Sequence, residues 1–323
     1  YGADVSVKNK EGKTALLIAA ENGNIDIINM LVDEFKANIL DKDNNGNNAV
    51  ILAGNKGYTD TIKELILKYN IDINTTNNIG DTVITAASKS GFINTVIDIT
   101  NTYNVDINTQ DTKGDTIITI AARKGYFDTI NTLIKDISNN DLINESLILA
   151  ANNGHEDIVE LLTTNENIEL NKLNKFGNSA IIIAASRGYF NIVKNLIEIH
   201  NVDINTTNSL GYTTLMQSCI TQNQKLIIYL CNKGINKNLK NVDGDTAFMI
   251  SAYYGYNEIV LLLALEFNVN INIKNNEGNN ALLLASIQNN ENMLQSLVLL
   301  LAIDINVTNI NNESALIIAA NYN

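Results

Sequence analysis

The chain has 323 residues, of which 45% are apolar and 18% charged, with a formal net charge of -13. That charge excludes a general nucleic-acid binder, which needs a basic footprint against phosphates, and opposes docking on an anionic membrane surface. No apolar run is long and unbroken enough to span a bilayer, and the two cysteines, Cys219 and Cys231, are too few for a disulfide framework, which favours a reducing, cytoplasmic setting.

The first unit of the chain sets a pattern. Thr14 is an N-cap type whose side-chain oxygen can take an orphan helix N–H. Small residues five and six positions on, Ala19 and Ala20, let neighbouring helices approach closely, and Gly23 can end the short helix in the left-handed conformation. Ile27, Ile28, Leu31 and Val32 then mark a second amphipathic helix, with Asp26 suited to its N-terminus. Gly46, two positions before the next cap, marks the tight turn of a hairpin-like finger.

The pattern returns along the whole chain. Caps fall at Thr14, Asn48, Thr82, Thr116, Glu145, Ser179, Thr213, Thr246, Asn280 and Ser314, in steps of 34, 34, 34, 29, 34, 34, 33, 34 and 34. Ten first helices and nine helix pairs are expected, in one array over residues 1–323. The fifth unit departs from the others. Its finger is short by five residues between Asp136 and Ser146, and Ile143 stands where the turn Gly should be, so a gap or a bend is expected there. The chain starts inside a finger and stops after a tenth first helix with no polar end cap, so it reads as a piece of a longer protein. The excess of Asn, Ile and Lys without Pro looks like coding bias, and the Asn content is accordingly given little functional weight.

These residues resemble the ankyrin-repeat family. The family pattern Asp-x-x-Gly-x-Thr-Pro-Leu-His-x-Ala-Ala-x-x-Gly appears here as residues 10–23, from Lys10-Glu11-Gly12-Lys13-Thr14 to Ala19-Ala20-Glu21-Asn22-Gly23, and Tyr1-Gly2-Ala3-Asp4-Val5 matches the tail of a preceding unit. The resemblance implies an all-α repeat solenoid of helix-turn-helix units with hairpin-like fingers. It implies a protein-interaction scaffold or adaptor rather than an enzyme, binding through a concave face of finger tips and first-helix ends. The family Pro is missing throughout. The family His is replaced by Leu17, Ile51, Thr85, Thr119, Ile148, Ile182, Met216, Met249, Leu283 and Ile317, so apolar packing must substitute for its hydrogen bonds.

No catalytic constellation or cofactor motif appears. His155 and His200 lie in different units, Cys219 occupies a small-residue position, and the recurring glycines follow the repeat rather than a phosphate-binding strand. Carried onto this chain, the family's binding positions give a basic stripe of Lys56, Lys89, Arg123, Lys124 and Arg187, which would suit a protein partner with an acidic segment. The stripe then turns apolar and aromatic at Ile220, Tyr253 and Tyr254, beside finger tips carrying Phe176, Leu210 and Tyr212. A hot spot is expected on the sixth to eighth units. Competing roles are the recognition module of a larger enzyme and an elastic architectural spacer.

Overall fold

A computed structural model describes residues 3–137, 139–165, 168–300 and 302–322. Tyr1 and Gly2 of the opening tail motif, and Asn323, lie outside them. The chain divides into two compact units, Tyr1–Leu162 and Thr163–Asn323. Among the described residues both are all-α. Extended structure is confined to two isolated bridges, Thr207 with Thr213 and Thr308 with Ser314.

In the first unit the first helices are α1 (Ala15–Glu21), α3 (Ala49–Asn55), α5 (Val83–Ser90), α7 (Ile117–Lys124) and α9 (Asn140–Asn153). Each packs on the next, and the first four pack on their second helices α2 (Ile25–Asp33), α4 (Thr59–Tyr69), α6 (Ile93–Thr102) and α8 (Phe127–Leu133); α10 (Glu156–Thr163) follows α9. In the second unit α11 (Ala180–Ser186), α13 (Thr214–Ile220), α15 (Ala247–Tyr253), α17 (Ala281–Ile287) and α19 (Ala315–Tyr322) stack in the same way. Their partners are α12 (Phe190–Glu198), α14 (Gln224–Asn232), α16 (Asn257–Leu261), which runs into a π-helical turn, and α18 (Glu291–Leu299). The small residues do what their spacing predicts: Ala20, Ala53, Ala121, Ala122, Ala184, Ala185 and Ala252 are fully buried where first helices meet. Each buried Leu or Ile around them contributes roughly 1.5–3 kcal/mol of transfer free energy.

The fingers are closed by side chains rather than by strand pairing. Each opens on an Asp or Asn: Asn9, Asp43, Asn77 and Asp111 in the first unit, and Asn174, Asn208, Asn241, Asn275 and Asn309 in the second. The side-chain oxygen of that residue accepts the backbone N–H groups two and four positions on. At Asn208 the donors are Leu210 and Tyr212, at 3.0 and 2.9 Å, while the Asn208 N–H donates to the Tyr212 carbonyl at 3.0 Å. Consecutive fingers are then laced tip to tip, as where the Val242 N–H donates to the Leu210 carbonyl at 3.0 Å. The Asn content at these positions is therefore structural. A short amide or carboxylate side chain is the group that can fold back on its own loop.

The fifth repeat corrects an expectation. Its first helix begins at Asn140, capped by Asn139, and not beside Glu145. Leu142, Ile143, Leu147 and Ile148 are all buried along α9. Without an Asx-x-x-Gly anchor nothing closes a finger there. The apolar spacing lets the segment continue as helix, and Asp141 suits its first turn.

Among the described residues, two first helices end on a left-handed residue other than glycine. Gln222 and Asn289 stand where Gly23, Gly57 and Gly91 stand in other repeats, yet they take φ of 53° and 49°. Gln222→Gly is expected to raise stability by roughly 0.5–1 kcal/mol, because the left-handed conformation strains a side chain. Removing the finger anchor has the opposite sign. Asn208→Ala leaves two loop N–H groups without their acceptor and should cost about 1–3 kcal/mol in urea denaturation, while Asn208→Asp keeps the acceptor and should cost less.

Candidate functional site

The residue before a first-helix cap and the residue seven positions after it form a recurring pair. In the first repeat Lys13 Nζ binds Glu21 Oε2 at 2.6 Å. In the third, Lys89 Nζ reaches Asp81 Oδ1 at 2.5 Å and Asp111 Oδ2, on the following finger, at 2.6 Å. In the fourth, the Arg123 guanidinium grips the Asp115 carboxylate with two nitrogens, one of them at 2.8 Å. Burial pushes the Asp111 carboxyl up, but the Lys89 ammonium and the N–H groups of Asp115 and Lys113 hold it below its ordinary value.

This geometry changes what the basic stripe can do. Lys89 and Arg123 are held by the protein's own carboxylates, so they are not free cations awaiting a partner. Lys124 is exposed, donates to the Lys89 carbonyl at 2.6 Å and lies 6.0 Å from the Tyr126 ring centre. Lys56 is exposed with no side-chain partner among the described residues, and Arg187 is exposed in the second unit.

In the second unit Tyr212, Tyr253 and Tyr254 meet at one cavity, while Phe176 and Leu210 stand at finger tips. Phe176 and Leu210, at the tips of consecutive fingers, are 71% and 56% exposed, too far out to belong to a core. The Ser209 N–H ties these fingers by donating to the Gly177 carbonyl at 2.9 Å, and Lys175 Nζ sits 5.3 Å over the Phe176 ring. At the end of α15, Tyr253 and Tyr254 meet edge to face with ring centres 5.3 Å apart, and Tyr254 stacks on Tyr256 at 5.7 Å. Tyr212 joins that pair in lining a cavity of about 370 Å³. Phe176, Arg187, Leu210 and Ile220 do not line it. Ile220 is half-buried at the end of α13.

The cavity also holds groups that the sequence pattern did not single out. Asp243, Asp245 and Glu277 stand on its wall with Asn275 and Asn276. Asp245 accepts the Asn275 amide at 2.9 Å, and no Lys or Arg of the described residues pairs with any of the three carboxylates. Burial pushes the Asp245 carboxyl up, Asn275 opposes, and Asp243 and Glu277 add to the rise. The available signal was the repeat offset: Asp245 and Tyr253 occupy the positions of Asp81 and Lys89, so the eighth repeat has the carboxylate without its cation.

A family model described as ankyrin repeats (three copies) matches residues 1–77, 54–144, 83–174, 147–241 and 236–309. The chain belongs to the ankyrin-repeat family. No match is found among curated proteins. Ankyrin repeats are in general protein–protein interaction modules, and the family is typically non-catalytic.

Within this ankyrin chain the missing family His is replaced in two ways. Leu17, Ile51, Ile148, Ile182, Met216, Met249 and Leu283 are buried, while Thr85 and Thr119 close capping boxes with Thr82 and Thr116; Ile317, in the last repeat, is exposed and does not make the expected apolar packing. The residue after the glycine adds a further staple. A Cβ on Gly57 would fall 2.4 Å from the Phe92 ring of the next repeat. His155 packs on Gly125 in the same way and its Nε2 donates to the Arg123 carbonyl at 3.1 Å, a structural use of that imidazole. Burial pushes the Cys219 thiol up to about 12 and the Cys231 thiol up to about 11, so both stay protonated and act as small hydrophobes. No helix among the described residues is long and apolar enough to cross a membrane.

The charge pairs carry a measurable consequence. Lys89→Met leaves Asp81 and Asp111, both nearly buried, facing each other, and should lower stability at neutral pH by about 1–3 kcal/mol. Because the folded Asp111 pKa is depressed, its contribution is present above the unfolded value and is lost as pH falls through the folded one. Urea titrations of variant and parent should therefore converge on acidification. A gap that stays constant with pH would contradict the pairing.

Proposed function

We propose that this chain is a protein-interaction scaffold or adaptor, and that a protein partner docks on the second unit along the finger tips and first-helix ends from Phe176 to Tyr254. The observation that carries this is the exposure of Phe176, Leu210, Tyr253 and Tyr254 together, beside a cavity that Tyr212 also lines. An exposed apolar and aromatic cluster rimmed by polar Asn and Thr has the composition of an interaction surface. Each such side chain contributes roughly 1.5–3 kcal/mol when a partner covers it, and tyrosine is a frequent anchor.

The stripe of Lys56, Lys89, Arg123, Lys124 and Arg187 supports an acidic partner segment less well, since two of its five cations are neutralised within the protein. The repeats over residues 1–323 act as one array without chemistry of its own. The buried free thiols favour an intracellular, cytoplasmic setting.

Selection of binders from a random-peptide display library gives the test. Peptides selected on the parent protein should lose at least about fivefold in affinity for Phe176→Ala and for Tyr253→Ala, a loss of over about 1 kcal/mol. Both variants should keep the parent's melting temperature, because their side chains are exposed. Unchanged affinity, or a matching loss of stability, would move the surface elsewhere.

A further inference from the structure

The cavity in the second unit has a specific chemical gap. In the third repeat the carboxylate before the cap is neutralised by the side chain seven positions after it, Lys89, which also reaches the first residue of the next finger. In the fourth repeat Arg123 neutralises Asp115 from the same position. In the eighth repeat the carboxylate is kept, as Asp245, but the cation is replaced by Tyr253, whose ring opens onto the cavity instead of filling it. Asp243 and Glu277 add two more carboxylates to the wall, and Tyr212 and Tyr254 complete an aromatic lining. Where the third and fourth repeats place Lys89 and Arg123, the eighth places Tyr253, among three carboxylates and two further phenol rings.

We infer that this cavity receives an arginine or lysine side chain from the docked partner, which occupies the place that Lys89 fills in the third repeat. Asp245, Asp243 and Glu277 supply the counter-charge, and Tyr212, Tyr253 and Tyr254 supply ring faces that attract a desolvated cation. The inference rests on the docking surface proposed above and names the chemistry of its occupant: a basic segment of a protein partner. At about 370 Å³ the cavity is at the small end of ligand sites, which run from roughly 300 to 1,000 Å³, and suits one long side chain. The exposed apolar tips in the same unit, Phe176 and Leu210, favour a peptide over a free polyamine, because a polyamine would leave them uncovered.

The probe is an end-blocked octapeptide of alternating Arg and Gly, with a second peptide carrying citrulline at every Arg position. Binding is followed by NMR of the Tyr253 and Tyr254 rings at about 0.15 M salt, which screens the general acidity of the protein. The Arg peptide should shift these resonances saturably and the citrulline peptide should not. Asp245→Asn, which keeps an acceptor for Asn275, should weaken binding roughly tenfold, whereas Glu291→Gln, an exposed carboxylate elsewhere in the same unit, should leave it within about twofold. Tyr253→Lys rebuilds the internal pair of the third repeat, so it should raise the melting temperature and abolish peptide binding.

Equal binding of the Arg and citrulline peptides would overturn the inference. So would an Asp245→Asn loss no larger than that of Glu291→Gln, or a Tyr253→Lys variant that still binds, or spermidine shifting the same rings as tightly as the peptide does. If the Arg peptide fails while display-selected peptides still depend on Phe176 and Tyr253, the docking surface stands with a different occupant. If those peptides are also insensitive, both fall.

Discussion

One side-chain oxygen per finger carries the geometry of these loops. The Asp or Asn that opens each finger accepts two backbone N–H groups of its own loop, which fixes the turn without a strand partner. Once fixed, the loop presents its tip carbonyl to the next finger and places the residue before the cap over the start of the first helix. The tip-to-tip lacing and the charge pairs both depend on that placement. Hydrophobic packing of the helices supplies most of the stability, but it does not by itself specify where the tips lie.

In the third repeat buried charge is answered locally. Asp81 and Asp111 lie close enough to share the Lys89 ammonium, and without it two nearly buried carboxylates would repel. Where the finger-opening residue is Asn, an amide takes over the task. Asn77 donates to Asn47 at 2.8 Å, Asn208 to Asn178 at 3.0 Å and Asn275 to Asp245 at 2.9 Å. At Asp245 the amide satisfies one oxygen but leaves the charge uncompensated, and burial with Asp243 and Glu277 still pushes that carboxyl up. Tyr212 interrupts this series of amide contacts, standing where Asn47 and Asn178 stand, and it is also a wall of the cavity.

The repeat, the helix pairs and nearly all the helix starts were legible in the sequence, because caps, small residues and glycines recur at a fixed interval and each has one local meaning. The start of α9 was not legible, since an alignment on the cap assumes a finger before it, and the absence of the anchor lets the helix run back to Asn140. The aromatic part of the candidate site was partly legible. Exposed tips such as Phe176 follow from turn chemistry alone, and so does the position of Tyr253 at a helix end. The carboxylates around Tyr253 were missed, because their meaning lies in a comparison between repeats: a cation present at Lys89 and Arg123 is absent eight residues after Asp245. Lys89 and Arg123 themselves were over-read as available, since residue type reports charge but not the partner that already holds it.

The fifth repeat gives the first compact unit an internal edge. Because that repeat has no finger of its own, the fourth finger, from Asp111 to Asp115, has a neighbour on one side only, and a Cβ placed on its turn residue Gly114 would meet nothing within 4 Å. Among the described residues the row of laced loops is interrupted there, and the packing of α7 on α9, with the His155 contact to the Arg123 carbonyl, joins the fourth repeat to the fifth in its place.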